Sequence, residues 1–578
     1  MKNKISIVAI AFLFCHQLFS QKLLTPEALW SLGRISPLGI SKDGSKILYR
    51  VSTPNVELNK FDKKTYSINL DGSGLVELQT ADGLLADRMI SPNGKLQLYS
   101  QEVKIQKVFG QDFYPEMKKS DVQIYNGLNY RHWDAYNEGK YNHVFIKNLT
   151  NSNDAHVDIL VGSPFDCPQR PFGGDEDFVW SPDGKKVVYA TKKSSGTAYA
   201  MSTNSDLFEY DLATKTTINL TATNLGYDQN PVFSPKGELT WLQMKRDGYE
   251  ADKQDIIFRF KGFDMNLTAS WDGTVNSFVW NSEGSKIYFL AATNGTMQVF
   301  TIENMRTGSP KIAQLTVGEF DVNDIIDIRN NEIFVTRCSF HHANDIFSYN
   351  MKTKTWKQLT DVNRATYNSM SKTTSERRWV ATKDGKKMLV WVVFPPNFDK
   401  TKKYPTLLYC QGGPQSALTQ MHSFRWNLGL MASQGYIVVA PNRRGMPGHG
   451  VQWNEEISKD WGGKPMQDYL SAIDEISDEA YVDVNRRAAV GASYGGYSVF
   501  YLAGIHQNRF KTFISHCGLF NLESFYGTTE EVFFANWDLG GPYWDNESVT
   551  TQRSYQKFNP QKLVSSWTSP ILIFQGAK

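Results

Sequence analysis

From Ser41 to Thr360 the chain repeats one arrangement of polar and apolar positions. A serine, a polar residue and a glycine make a turn, and a run of alternating apolar and polar residues follows. The copies are Ser41–Tyr49, Ser91–Tyr99, Ser181–Tyr189, Ser234–Trp241 and Ser282–Phe289. A period of two is that of a half-buried strand. A second mark, Leu-Thr at the close of a strand, recurs at Leu220-Thr221, Leu267-Thr268, Leu315-Thr316 and Leu359-Thr360, with its leucines 47, 48 and 44 residues apart. Short strands repeating at that length predict a β-propeller of four-stranded blades, and the two marks together count six repeats. The period disfavours a β-sandwich. The long gap from Gly94 to Gly184 predicts an insertion in the second blade, its aromatic stretch Tyr125 to Trp133 lying over the propeller's edge. Before the repeats, Thr25 and Pro26 have the form of an N-cap and a first helical residue.

Near Tyr367 the pattern changes. Glu376 to Phe394 reads as a hairpin turning at Lys383-Asp384-Gly385. Short apolar runs follow at Thr406–Cys410, Tyr436–Ala440, Ala488–Val490, Thr512–Ser515 and Ile571–Phe574, with helical stretches such as Met466 to Ile476 between them. Such runs suit parallel strands buried on both faces, and their order predicts an α/β-hydrolase domain. The expected organisation is a signal peptide over residues 1–20, a propeller over 21–368 and a hydrolase domain over 369–578, cut short before its last strand.

Composition adds little to the fold but narrows the partners. The 578 residues are 41% hydrophobic and carry a formal charge of +3. A near-neutral balance without basic blocks argues against nucleic acid. Lys2 and Lys4 precede an apolar run from Ile5 to Cys15, which is the form of an export signal cleaved near Ser20-Gln21. That run is too short to span a bilayer, so no membrane anchor is expected after cleavage. Of the remaining cysteines, Cys410 and Cys517 follow apolar runs and are expected to be buried thiols. A Cys167–Cys338 disulfide is permitted outside the cytosol. No cysteine spacing suggests a metal, and nothing calls for an organic cofactor.

The chemistry concentrates at Val490-Gly491-Ala492-Ser493-Tyr494-Gly495-Gly496-Tyr497. An apolar run, G-x-S-x-G and a helix-compatible segment predict a strand, a sharp turn with Ser493 at its tip, and a helix. The glycines leave room where those three crowd together. This stretch resembles the nucleophile elbow of the prolyl oligopeptidase family of serine peptidases. The resemblance spans almost the whole chain and is nearest the branch of acylaminoacyl-peptidases and dipeptidyl-peptidase 5. It implies seven propeller blades where six are counted, so six to seven are expected.

A serine nucleophile needs a base, a residue to orient that base, and an oxyanion hole. In this fold one oxyanion donor is the N–H after the nucleophile, here Tyr494. Cys410-Gln411-Gly412-Gly413-Pro414 resembles the family's H-G-G-P loop, with Gln411 in place of histidine, and implies Gly413 N–H as the second donor. Asn442-Arg443-Arg444-Gly445 and Asp460-Trp461-Gly462-Gly463 resemble two further family segments, in which arginine–aspartate pairing would fix loops near the site.

The triad is expected to be incomplete. The resemblance puts the acid just after Ile571-Leu572-Ile573-Phe574-Gln575-Gly576, and the histidine later still, while the sequence stops at Lys578. His449, His506 and His516 are poor candidates for the base, so this chain alone is expected to be inactive. By resemblance, Leu519, Phe520 and Phe525 would line an apolar P1 pocket, and Asp175 and Glu176 would hold a substrate amine. The reading is an exported, periplasmic or extracellular serine peptidase acting on short peptides, with a homo-oligomer allowed. An esterase and a non-catalytic binding propeller are the rivals.

Overall fold

The computed structural model describes residues 22–576, so the expected export signal lies outside the described residues. Thr25 caps the first helix, Pro26–Trp30, by accepting the Ala28 N–H at 3.2 Å. Six antiparallel sheets follow in chain order, which makes a six-bladed propeller. Five of them are four-stranded meanders and the second has three strands. Six is the number of repeats counted along the chain, not the seven that the family resemblance implies.

Both repeat marks have structural jobs. In the hairpin that joins the first two strands of a blade, the glycine N–H returns to the serine carbonyl at 2.8 Å (Gly44 to Ser41, Gly184 to Ser181). These glycines have φ near +70°, which other residues adopt only with strain. In the fifth blade Asn281, not Ser282, takes the serine's place. The threonine of each Leu-Thr fastens the fourth strand to the third. Thr221, Thr268, Thr316 and Thr360 accept the N–H groups of Leu207, Ile256, Val299 and Ile346.

The ring closes by packing, without a shared strand. Ile35, Ile47 and Tyr49 of blade 1 meet Phe334 and Ile346 of blade 6 in one buried cluster. At the same seam Asn363 exchanges two hydrogen bonds with Gly33, 2.8 and 2.9 Å. The insertion of blade 2, between strands Leu96–Lys104 and Lys140–Asn148, does more than cover an edge. Its hairpin, Arg131–His132 and Ala135–Tyr136, reaches the second domain. Arg131 donates to Thr528 O at 2.9 Å and to Glu530 at 3.2 Å, and the Trp133 N–H also donates to Glu530.

The second domain is a seven-stranded sheet: β1 (Thr374–Ala381), β2 (Lys387–Phe394), β3 (Tyr404–Cys410), β4 (Ile437–Pro441), β5 (Val482–Ala492), β6 (Thr512–His516) and β7 (Ile571–Phe574). Their spatial order is β1-β2-β4-β3-β5-β6-β7, parallel from β4 to β7, as in an α/β-hydrolase. Met388, Val390 and Val392 face one core, while Leu389, Trp391 and Val393 face another. Covering both faces explains why β2 reads as an unbroken apolar run. Helix α1 (Lys464–Ser477) packs Met466, Tyr469 and Ile473 on the first face, and α2 (Tyr494–Ile505) follows β5.

Candidate active site

Strand register brings the candidate groups to one edge of the sheet. Cys410 at the end of β3 lies beside Gly491, Ala492 lies beside His516, and His516 lies beside Phe574. Ser493 stands between β5 and α2 with φ 56° and ψ −123°, a conformation that costs a non-glycine residue on the order of 1–3 kcal/mol. Its backbone is held on both sides. The Ser493 N–H donates to His516 O, and Ser493 O accepts the Tyr497 N–H, each at 2.9 Å. The side chain is exposed and makes no hydrogen bond among the described residues. Crowding accounts for the glycines. A Cβ on Gly495 would sit 2.0 Å from Cys410 O, and one on Gly491 would sit 2.5 Å from Gly495 O.

The loop after β3 is pressed on this turn, since a Cβ on Gly412 would lie 3.7 Å from the Ser493 Cβ. Tyr494 is the first residue of α2, where the backbone N–H has no partner within the helix. The Gly413 N–H is likewise without a partner among the described residues. Tyr494 thus adjoins the serine directly, and Gly413 lies on the loop packed against its turn.

A buried cation holds the loop. Arg443 donates to Pro414 O at 2.9 Å, Gln411 O at 3.2 Å, Arg444 O at 2.7 Å and the Tyr469 hydroxyl at 3.0 Å. Among the described residues no carboxylate pairs with it. Its remaining neighbours are π faces, with the Tyr494 ring centre 4.6 Å from the guanidinium carbon. Arg444 is different, forking onto Asp468 and Asp384 at 2.6–2.9 Å. The expected arginine–aspartate pairing is thus present with those partners. Asp460 instead caps α1 through the Lys464 N–H at 2.8 Å.

The three histidines are placed apart from any role beside the serine hydroxyl. His506 caps the far end of α2 and packs on Phe510 and Phe513. His449 is half-buried where its loop meets the propeller, and desolvation pushes it down to about 4. The His516 ring sits between Trp426 and Phe574, and its contact with Ser493 is through the backbone.

Leu519 and Phe525 pack against the hydrolase core, and Phe520 stacks edge-on to Phe500 and Trp567. Asp175 and Glu176 are exposed on a 3-10 turn before blade 3, with no contact to the Ser493 turn among the described residues. Their neighbour Asp177 is buried and accepts the Gln169 N–H at 2.7 Å. Cys410 is buried as expected, whereas Cys517 is exposed, because the chain turns at φ 47° straight after β6. Cys167, packed in a propeller core, and Cys338, set against the Gln420 carbonyl of the second domain, are separate free thiols, so no disulfide joins them. Among the described residues no helix is long and apolar enough to cross a membrane. Two clefts, of about 490 Å³ against the blade 2 insertion and about 790 Å³ beside Asp460 and Arg509, do not include Ser493.

Comparison with known proteins fits this arrangement. The Prolyl oligopeptidase family matches residues 422–578. The dipeptidyl-peptidase 5 of Porphyromonas gingivalis is 41% identical, with 96% of this chain and 87% of that protein aligned. The dipeptidyl-peptidase 5 of Porphyromonas endodontalis is 38% identical over 97% of this chain and 87% of its own. Among solved structures, the acylaminoacyl peptidase of Pyrococcus horikoshii superposes with a TM-score of 0.75 over 96% of this chain and 87% of its own, at 14% identity, a likeness of fold. The chain belongs to the prolyl oligopeptidase family and is a serine peptidase.

Proposed function

We propose that the protein is an exported peptidase that removes dipeptides from the N-termini of short peptides through a Ser493 acyl-enzyme. The observation that carries this reading is the strained, exposed Ser493 at the start of α2, with the loop of Gly412 and Gly413 packed against its turn. In that geometry the Ser493 Oγ attacks the scissile carbonyl carbon, the two N–H groups receive the developing oxyanion, and the amine leaves before water releases the acyl group. By the family resemblance the base and acid would follow β7, while Ser493 would supply the nucleophile and Tyr494 and Gly413 the oxyanion donors. Leu519, Phe520 and Phe525 would favour an apolar P1 residue, and Asp175 with Glu176 would face the free amine. Release of dipeptides rather than acylated residues follows the two Porphyromonas relatives. Export rests on the leader-like residues 1–20.

The test uses fluorogenic dipeptide amides with free and acetylated N-termini. Cleavage of the free form with apolar P1, lost in Ser493→Ala with unchanged circular dichroism, is expected. Preference for the acetylated form would make it an acylaminoacyl-peptidase instead. N-terminal sequencing of the protein from its host checks cleavage near Ser20.

A further inference from the structure

The last blade departs from its siblings at one carboxylate. In blades 3 and 4 the repeat threonine donates to the first oxygen of an aspartate, Thr221 to Asp206 and Thr268 to Asp255. The second oxygen is satisfied by the asparagine two residues before the threonine, Asn219 at 2.9 Å and Asn266 at 2.8 Å. In blade 6 Thr360 donates to Asp345 Oδ1 at 2.6 Å, joined by the Val362 N–H at 3.2 Å. The asparagine is replaced by Gln358, which makes no such bond. Asp345 is fully buried, and its Oδ2 has no hydrogen-bond partner.

That oxygen faces two other ligand-type groups. His342 Nδ1 is 3.8 Å away, and one ligand atom each from His342, Asp345 and Asp361 lie within 4.8 Å of one another. Asp361 is fixed from outside by Arg364 Nε at 2.7 Å. We propose that His342, Asp345 and Asp361 form a binding site for a divalent cation of the zinc or manganese class. One imidazole and two carboxylates match that class in charge and donor type. Bonds of about 2.1 Å in a tetrahedral site put ligand atoms about 3.4 Å apart, so closure needs movements of roughly 1 Å. His342 and Asp361 are both half-buried, so these movements shift partly exposed rather than core groups, and a fourth position is left to water. His342 Nδ1 also lies 2.8 Å from Ala343 O, a contact the cation replaces, with the imidazole proton then on Nε2. The site ties the third strand of blade 6 to the segment leading out of the propeller, far along the chain from Ser493.

The test is made on the full chain after chelator treatment and dialysis. Calorimetric titration with Zn²⁺ and with Mn²⁺ is expected to show one tight equivalent, and thermal unfolding to shift upward with the bound ion. Asp345→Asn removes the charge of the unpaired oxygen while keeping the Oδ1 that accepts from Thr360 and Val362. It is expected to weaken binding by more than roughly 100-fold while leaving the metal-free unfolding temperature equal or higher. Half-buried Asp361→Asn gives the same binding readout should Asp345→Asn fail to fold. The proposal is overturned if the wild type binds neither ion below millimolar concentration, or if both variants bind as the wild type does.

Discussion

The Arg443 guanidinium grips the carbonyl of Gln411 from beneath while its carbon lies 4.6 Å from the Tyr494 ring centre. It thereby ties the loop after β3 to the first residue of α2, the two segments that carry the proposed oxyanion donors. An oxyanion donor is typically worth about 2.7–4 kcal/mol, and a loosened loop forfeits part of it. Arg443→Met is expected to lower kcat by about 10–100-fold with KM within about twofold. Arg443→Lys, a point charge without the fork, should recover only part. A rise in KM at constant kcat would instead mark Arg443 as a substrate contact.

Gly495→Ala tests the crowding at the turn. The added methyl would meet Cys410 O at 2.0 Å, and that backbone belongs to β3 and cannot swing away. Overpacking of this kind costs about 1–3 kcal/mol or more. A lower melting temperature and loss of activity are expected together, and an active variant of wild-type stability would contradict the packing described.

Asp177 gives the propeller a pH dependence. Burial, opposed by the single Gln169 N–H and reinforced by Glu176, pushes its carboxyl up to about 7. An unfolded aspartate titrates near 3.9. The native state therefore holds the proton more tightly, and this stabilising contribution is complete below pH ~4 and lost as pH rises through 7. Asp177→Asn should match the wild type near pH 4 and exceed it by roughly 2 kcal/mol at pH 8, less than the ~4 kcal/mol of three full pKa units. Urea unfolding at the two pH values measures the difference.

The hairpin carrying Arg131 bridges propeller and peptidase domain beside Glu530. If the bridge restricts entry, Arg131→Ala should raise turnover of a twenty-residue peptide relative to a short reporter by on the order of 2–10-fold. The pair is partly exposed and worth at most about 1 kcal/mol, so stability should barely move. An unchanged ratio would remove the hairpin from substrate access.

What could be read from the residues depended on how local its cause was. The turn at Ser493 was visible because its glycines answer contacts within a few residues and at the adjacent strand. The sheet was visible because strands covered on both faces are apolar throughout. Cys517 was misread as buried, since an apolar run does not reveal that the chain reverses one residue after it ends. The Arg443-Arg444 segment was legible as a loop-fixing pair of arginines, but nothing in it told that Arg443 would grip carbonyl oxygens some thirty residues upstream in place of an aspartate. The blade 6 carboxylate was hidden in the same way. Its oddity shows only when the hydrogen bonds of three blades are laid side by side.

The seam between blades 1 and 6 makes one coordinate of two motions. No strand is shared there, so the ring resists being pried apart by side-chain packing and by the Gly33–Asn363 clasp. Asn363 lies on the segment that runs into β1, and Lys22 bridges to Met370 a few residues further on. Widening the ring at its seam must therefore tug on the tether of the peptidase domain. A tilt of that domain must in turn load the seam, so the gap between blades and the angle between domains are geared together.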